Sequence, residues 1–317
     1  MLLFSMVRVA WACVTALLVA VFMALIVNVL PGDPVKMLVG PRADEATVAR
    51  VREEMGLDLP VAQQVWNYLS DAVRLDFGRD FVNNMPVADG ISAALPHTLV
   101  LALSAIFLAG VFGILLGVVA SCTRHWLVRS ILNVMTSIGL SMPTYVVGLL
   151  LLLVFSVQLR LFPATGTASF DRPLEYLRTL TLPTLAVSFF WICYVSKLLE
   201  ANLEDAMASP FVRVARANGV PGWKIRFKYA LKTAAIPLVS LLGVSSASLV
   251  GGAVFAELIF SRPGIGSLIV SAIEVRNFPI VRGGVMTLAL LCVATNLFAD
   301  LLYRFIDPKI KVGAANE

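Results

Sequence analysis

Six apolar stretches, each close to or longer than the roughly 20 residues a helix needs to cross a bilayer, dictate the solvent in which this chain folds. They run over about 9–30, 99–121, 131–157, 182–199, 235–259 and 285–305. Backbone crossing hydrocarbon must satisfy its own hydrogen bonds, so single stretches of this length are read as helices. Composition agrees: 59% of the 317 residues are hydrophobic and 14% are charged. A soluble domain is about 45–50% apolar and about 25% charged, and one soluble core would not hide this excess. The predicted fold class is an all-α polytopic membrane protein with six transmembrane helices. It has an extracytoplasmic helical region between spans 1 and 2 and a cytoplasmic helix hairpin between spans 4 and 5.

The organisation follows from the spans. Residues 1–30 hold the N-terminal segment and first span; the apolar run is too long for a signal-peptide core, and no small-residue cleavage site follows it. Residues 31–97 read as a folded cap. Val61, Val65, Tyr68, Leu69 and Val73 recur at helical spacing behind Pro60, Phe77-Gly78 ends that pattern, and 87–95 suggests a short helix before Pro96. Packing over span ends and contact with a delivery protein are both open roles for it. Residues 98–306 form the main membrane domain, with a loop at about 205–235, and 307–317 is a tail. Arg124, Arg129, Arg213, Arg216, Lys224, Arg226, Lys228, Lys232, Lys309 and Lys311 fall on one side if the N-terminus is cytoplasmic, which returns the C-terminus there too.

Inside the spans, Gly110, Gly113 and Gly117 share one side of span two, and the last two form a small-xxx-small pair suited to close helix approach. Pro143 removes a backbone bond from span three and is expected to bend it. Ser141 and Pro143 in span three, and Ser245, Ser246 and Ser248 in span five, are candidate pore-lining residues. The serines also suit helix packing, with hydroxyls bonded to the preceding turn. Lys197, near the end of span four, must snorkel or face protein.

Catalytic patterns are missing from the sequence: there is no Walker A loop, kinase set, HExxH or serine elbow. His97 and His125 stand at opposite ends of span two. The four cysteines, Cys13, Cys122, Cys193 and Cys292, are read as small buried hydrophobes. Asp300, near the cytoplasmic end of span six, is the main carboxylate in a span, so no proton relay is apparent. No catalytic residue, metal ligand or cofactor is therefore expected in this chain.

Attention falls on residues 211–237, FVRVARANGVPGWKIRFKYALKTAAIP. Two short helix patterns, 211–218 and 223 to about 234, meet at Gly219, where a side chain would be costly, and Pro221 fits the first turn of the second. Such a hairpin on the charged side of a membrane bundle suits a partner. Its bases and apolar residues also suit an amphipathic helix on anionic lipid.

This segment resembles the coupling loop of permeases of ATP-binding-cassette (ABC) importers, in which Glu-Ala-Ala is followed by three residues and a glycine, then nine residues and Ile-x-Leu-Pro. By position, 213–215 stands for Glu-Ala-Ala, Gly219 for the glycine, and Tyr229, Leu231 and Lys232 for Ile, Leu and Pro. Ala215, Gly219 and Leu231 keep the general pattern. ARANG with KYALKTAAIP resembles the peptide and nickel branch, where an arginine commonly replaces the glutamate and the proline falls later, here Pro237. Further resemblance to the first permease of dipeptide, oligopeptide and nickel systems covers nearly the whole chain. It includes LPGDPV at 30–35, MGLDLPV at 55–61, LDFGRDF at 75–81, PVADGISAALPHTL at 86–99, MPTYVVGLLL at 142–151 and LFPATG at 161–166. GGAVFAELIFSRPGIGSLIVSAI at 251–273 and DLLYRFIDPKI at 300–310 are the most specific.

The resemblance implies a pore-forming subunit of a binding-protein-dependent importer in the bacterial cytoplasmic membrane. Its partners would be a second homologous permease, two ABC ATPases that use ATP and Mg, and an extracytoplasmic substrate-binding protein. Arg213, Ala215 and Gly219 are then the expected ATPase-coupling residues, with Lys224 and Arg226 facing ATPase carboxylates. The implied cargo is a dipeptide or oligopeptide. Nickel or a metal chelate is the alternative cargo, and a non-transporting structural membrane subunit is the alternative class.

Overall fold

A computed structural model of the chain describes residues 2–29, 35, 44–54, 58–74, 76–80, 82–123 and 125–306. Twelve α-helices and two π-helical segments follow one another among these residues, with one isolated bridge and no strand. They are α1 (Leu2–Val29), α2 (Glu45–Glu54), α3 (Val61–Val73), α4 (Val87–Cys122), α5 (Trp126–Ser141), α6 (Thr144–Leu151), α7 (Pro173–Ala208), α8 (Pro210–Ala217), α9 (Gly222–Lys224), α10 (Leu231–Ile259), α11 (Ile265–Glu274) and α12 (Phe278–Ile306). The π segments are Leu152–Gln158 and Ile225–Ala230.

Among the described residues, three stretches are long and apolar enough to cross a membrane: Val87–Cys122, Pro173–Ala208 and Phe278–Ala299. A fourth candidate, Trp126–Ser141 with Thr144–Gln158, bends by 111°. The first and fifth expected spans fall on α1 and α10, whose described apolar stretches are the shorter Val9–Met23 and Ser248–Ile259. The anticipated bend at Pro143 is thus a full break. Met142 is extended (φ −89°, ψ 123°), as a residue preceding proline tends to be, and Pro143 opens the next helix. Pro96 does the opposite of what its sequence context suggests. Helix α4 runs through it from Val87 to Cys122, held by the buried Ala94, Thr98 and Leu101 on either side; a lost backbone bond is tolerated where packing fixes the helix. The chain divides into two compact units, Met1–Thr98 with Pro263–Ala294 and Leu99–Arg262 with Thr295–Glu317.

In the first unit, α3 begins directly after Pro60, whose carbonyl accepts from the amides of Gln63 and Gln64. Its apolar side packs Tyr68 with Ala20 and Met23 of α1 and Met286 of α12. The Tyr68 hydroxyl donates to the Arg282 carbonyl at 3.0 Å, and the Arg282 guanidinium lies 4.1 Å from the ring centroid. Burial pushes the Tyr68 pKa above the usual phenol value, and Arg282 partly offsets it. A second pin joins the buried Asn277 to Asp80, whose carboxylate also accepts from the Val82 amide at 2.8 Å. Helix α3 therefore packs against α1 and α12, and Asp80 against Asn277 just before α12, within this unit. Helix α11 starts with the Ile265 amide donating to the buried Thr98 hydroxyl at 2.9 Å.

Helix α7 is the axis of the second unit: 61% of its most apolar stretch is buried, against 28% for α4. Glycines explain how its neighbours come so close. A Cβ on Gly113 of α4 would stand 2.7 Å from Val195, and one on Gly117 would stand 2.8 Å from the Ser196 carbonyl oxygen. Gly139 of α5 packs against Cys193, and Gly148 of α6 against Ile259 and Ala186. Leu101, Ala105, Tyr176, Leu180, Val187, Leu249, Ala253 and Ala256 close the core between α4, α7 and α10. Beyond α10, Arg262 is 1% exposed; it donates to the Tyr176 hydroxyl at 3.1 Å, and its own amide to the Glu257 carbonyl at 2.8 Å. Desolvation lowers the Arg262 pKa, with Tyr176 and then Glu257 opposing the shift. Of the cysteines only Cys193 is fully buried; Cys13 is exposed, contrary to the expectation that all four are interior.

The glycine contacts give a test. Gly117→Leu is expected to destabilise the purified protein by about 1–3 kcal/mol through overpacking, read as a lowered unfolding midpoint in detergent. Gly251→Ala, inside α10 where nothing lies within 4 Å of the added carbon, is expected to keep the midpoint or raise it slightly, since Ala favours a helix interior over Gly by about 0.5–1 kcal/mol.

Candidate functional site

The basic hairpin begins where α7 ends. Ser209 is extended (φ −66°, ψ 155°), and Pro210 opens α8 with Val212 turned fully inward. The helix stops in a way its residues explain. The Val220 amide donates to the Ala215 carbonyl and the Gly219 amide to the Arg216 carbonyl, both at 3.0 Å, with Gly219 at φ +76°. This paired pattern is a Schellman stop, which needs a left-handed residue at Gly219 and suits glycine. An added Cβ there would meet nothing within 4 Å, so the requirement is conformational and not steric.

Pro221 then stands just before the helix at φ −63°, one position earlier than first-turn placement. The second arm is longer than the expected 223–234. Helix α9, the π segment Ile225–Ala230 and α10 follow without a break to Ile259, so the arm and span five are continuous. Its inner side is fixed by Ile225 and Ala230, both 0% exposed. Ala230, Ala234 and Leu238 pack with Val195, Leu199, Leu203 and Ala206 of α7, and the Asn202 amide donates to the Ala234 carbonyl at 3.3 Å. The hairpin is therefore rooted in the best-packed helix of its unit.

Its outer side is basic and apolar. Arg213, Arg216, Lys224, Arg226, Lys228 and Lys232 stand on 210–237 without a single carboxylate. Phe211, Val214, Trp223, Phe227 and Tyr229 are exposed, and the Lys224 ammonium lies 5.8 Å from the Trp223 ring centroid. Arg213, Gly219 and Lys224 are exposed, Ala215 is half-buried, and the half-buried Arg226 has a buried Nε with no hydrogen-bond partner among the described residues. All five expected coupling residues thus sit on one hairpin, Arg213 and Ala215 on its first helix, Gly219 at the turn and Lys224 and Arg226 on the second arm.

The candidate pore residues are less united. Ser141 ends α5, exposed, its hydroxyl bonded to the Ser137 carbonyl at 3.0 Å, and Pro143 starts α6 across the break. Ser245 is buried and its hydroxyl donates back to Leu241 at 2.6 Å, the packing role. Ser248 is exposed. The side chain of Ser246 lies outside the described residues, as does that of Asp300. Tyr145 of α6 meets Phe255, with ring centroids 6.2 Å apart, about two turns beyond Ser248.

An ion cluster escaped the sequence reading. Arg129 of α5 reaches Glu200 at 3.4 Å and also Glu204, while Lys197 meets Asn133 and, at 3.4 Å, Glu200. Lys197 therefore faces protein rather than snorkelling. The signal available was the spacing of Lys197, Glu200 and Glu204 on one helix face, opposite the single arginine of α5. Among the described residues, no group of three His, Cys, Asp or Glu side chains could hold a metal ion.

Two family profiles match the chain: binding-protein-dependent transport system inner membrane component over residues 113–312, and its N-terminal membrane component over 1–102. The chain belongs to this family. Named relatives agree in length. A protein of Brucella abortus (strain 2308), named as a peptide transport system permease, is 35% identical over 306 residues, covering 96% of this chain and 97% of the relative. The glutathione transport system permease of Escherichia coli (strain K12) is 34% identical over 298 residues, covering 94% and 95%. In fold, the chain is similar to a solved chain of the MetNI methionine ABC transporter in an inward-facing conformation. That match has TM-score 0.53 and 17% identity, and covers 68% of this chain and 96% of the other. This permease is thus a multi-pass inner-membrane transport component.

The turn supplies the second test. Gly219→Val forces a β-branched residue into the left-handed region, at a cost of about 1–2 kcal/mol. Hydrogen exchange at the Val220 amide is expected to accelerate by about tenfold, while Gly219→Asn changes it little.

Proposed function

We propose that this permease lines the pore of an ABC importer that moves dipeptides or oligopeptides into the cytoplasm, with ATP hydrolysed by partner subunits. The observation that carries the reading is full-length similarity to a permease named for peptide transport, at 35% identity over 96% of the chain. The glutathione permease, whose named cargo is itself a small peptide, points the same way.

The hairpin supports the mechanism. A partner can shift the inward–outward equilibrium only through contacts that differ between the two states. A basic, aromatic surface with no acid of its own suits an acidic ATPase cleft, and its second arm, continuous with α10, carries a push into the bundle. Arg213 and Ala215 on the first helix and Gly219 at the turn form the docking end, with Lys224 and Arg226 toward partner carboxylates. The chain itself binds no nucleotide and holds no metal. ATP and Mg belong to two ABC ATPases, the pore is completed by a second homologous permease, and an extracytoplasmic binding protein delivers the cargo. Both termini lie in the cytoplasm.

The test is ATP-driven uptake by proteoliposomes holding the complete complex and its binding protein, offered labelled dipeptides, longer peptides and nickel chelate in parallel. Peptide accumulation that disappears without the binding protein is the expected result. Accumulation of nickel chelate alone, or ATP turnover with no cargo moved, would overturn it. In the same vesicles, Gly219→Asp is expected to insert normally and hydrolyse ATP while uptake falls to background; normal uptake would remove the hairpin from the coupling route.

A further inference from the structure

The bases of the hairpin divide by height. Lys224 stands near the tip, whereas Lys228 and Lys232 lie farther along the second arm, which runs unbroken into α10. Two observations fix their level. The apolar run of span five starts at about residue 235, which leaves Lys232 about 5 Å and Lys228 about 10 Å outside it along the helix axis. On the facing helix, the Asn202 amide donates to the Ala234 carbonyl at 3.3 Å, and Asn202 lies just beyond the apolar stretch 182–199 of α7. Two antiparallel helices thus place residues 228–232 at the edge of the hydrocarbon, where headgroups form a layer about 5–8 Å deep. Both lysines are exposed, and so is Tyr229 between them. Among the described residues neither lysine has an ion-pair partner. The nearby acids of α7, Glu200 and Glu204, are taken by Arg129 and Lys197, and Asp205 is exposed and pairs with neither. From 206 to 256 the chain has no carboxylate at all.

We propose that Lys228 and Lys232, with Tyr229 between them, bind the phosphate headgroup of an anionic phospholipid in the leaflet on the hairpin side. The site is independent of the cargo that the permease carries. Lysines four positions apart are neighbours on a helix surface, and like charges in that relation repel. A phosphate diester held between them replaces the repulsion with two charge-assisted bonds. Depth selects lipid over the ATPase. A partner docked at Arg213, Gly219 and Lys224 meets the tip, and Lys232 stands about 12 Å farther up the arm from Lys224. At that height the bilayer itself presents a layer of phosphates, and tyrosine is enriched at the same interface. Ala230 and Ala234 close the inner side of the arm against α7, so the headgroup is met from outside the bundle. A bound lipid fixes the membrane end of the arm and leaves the tip to its partner.

The experiment places the complete complex in vesicles of phosphatidylcholine with a minor share of phosphatidylglycerol. A photoreactive phenylalanine analogue stands at the exposed position 233, beside the site and outside it. It is expected to capture phosphatidylglycerol well above its share of the bilayer, and raised salt is expected to lower that enrichment. A lysine near an anionic surface contributes about a fivefold preference, so Lys228→Gln or Lys232→Gln alone is expected to cut the enrichment by about that factor. Both together are expected to bring capture down to the bilayer share. Lys228→Arg with Lys232→Arg keeps the charge and is expected to keep the enrichment, which controls for folding. Capture of the two phospholipids in proportion to their abundance overturns the site. So does enrichment that persists in the double glutamine variant, its loss in the double arginine variant, or capture of an ATPase subunit in place of lipid. Peptide uptake by the same vesicles is scored separately, so failure of the peptide reading and failure of the lipid site are told apart.

Discussion

The close approach of helices to α7 is the constraint on which the rest of this permease depends. Hydrocarbon offers apolar helices no reason to associate, so contact must come from shape. Removing the side chain at Gly113, Gly117 and Gly139 lets α4 and α5 lie against Val195, Ser196, Leu199 and Cys193. With those sides closed, α7 holds a fixed position, and whatever it carries at either end is fixed too. At one end Tyr176 meets the buried Arg262. At the other, the α7 surface from Val195 to Ala206 seats the hairpin's second arm. A rigid centre suits the coupling role proposed for the hairpin, because a push delivered to a loosely packed helix is lost in local rearrangement.

The two arms of the hairpin differ in kind. Helix α8 hangs from Ser209 and ends in a Schellman stop at Gly219, so it is short and stiff. The second arm has no boundary at all, passing through a π segment into α10. A π segment widens one turn and shifts the helix face beyond it. Here it lets Ile225 and Ala230 both point inward while Phe227, Lys228 and Tyr229 stay outside. The segment thus reconciles an exposed basic and aromatic surface with a buried seat on α7, within six residues.

How much of this was written in the sequence varies with the distance over which each signal acts. Helical class, the 61–73 helix behind Pro60 and the hairpin turn at Gly219 are local, and periodicity or backbone chemistry expresses them directly. The small-xxx-small pair at Gly113 and Gly117 announced a contact without naming the partner. Prolines act unevenly on these helices. Pro143 gave a break because Met142 could leave the helix, while Pro96 and Pro183 sit inside continuous helices held by buried neighbours. Ser245 looked as suited to a pore as Ser248, and only the packing of α10 separates them. The Arg129–Glu200–Glu204–Lys197 cluster joins residues as far as 75 positions apart, a pairing no local pattern encodes.

The exposure of Tyr194 among the buried and half-buried side chains of 181–200 is the feature least legible in the sequence, for a reason specific to membrane helices. In water, exposure of a Tyr or Phe breaks an amphipathic pattern and draws notice. In a span, apolar residues are expected on every side, so 189–194 is a uniform run in which no position stands out. What distinguishes Tyr194 is the burial of everything around it, and that depends on glycines 55 to 81 residues earlier in the chain. The same notches that lock α7 into the bundle therefore leave Tyr194 as the one exposed side chain of 181–200, while the helix is exposed again toward both ends. A substitution filling one of them would alter both the axis and the face that it exposes.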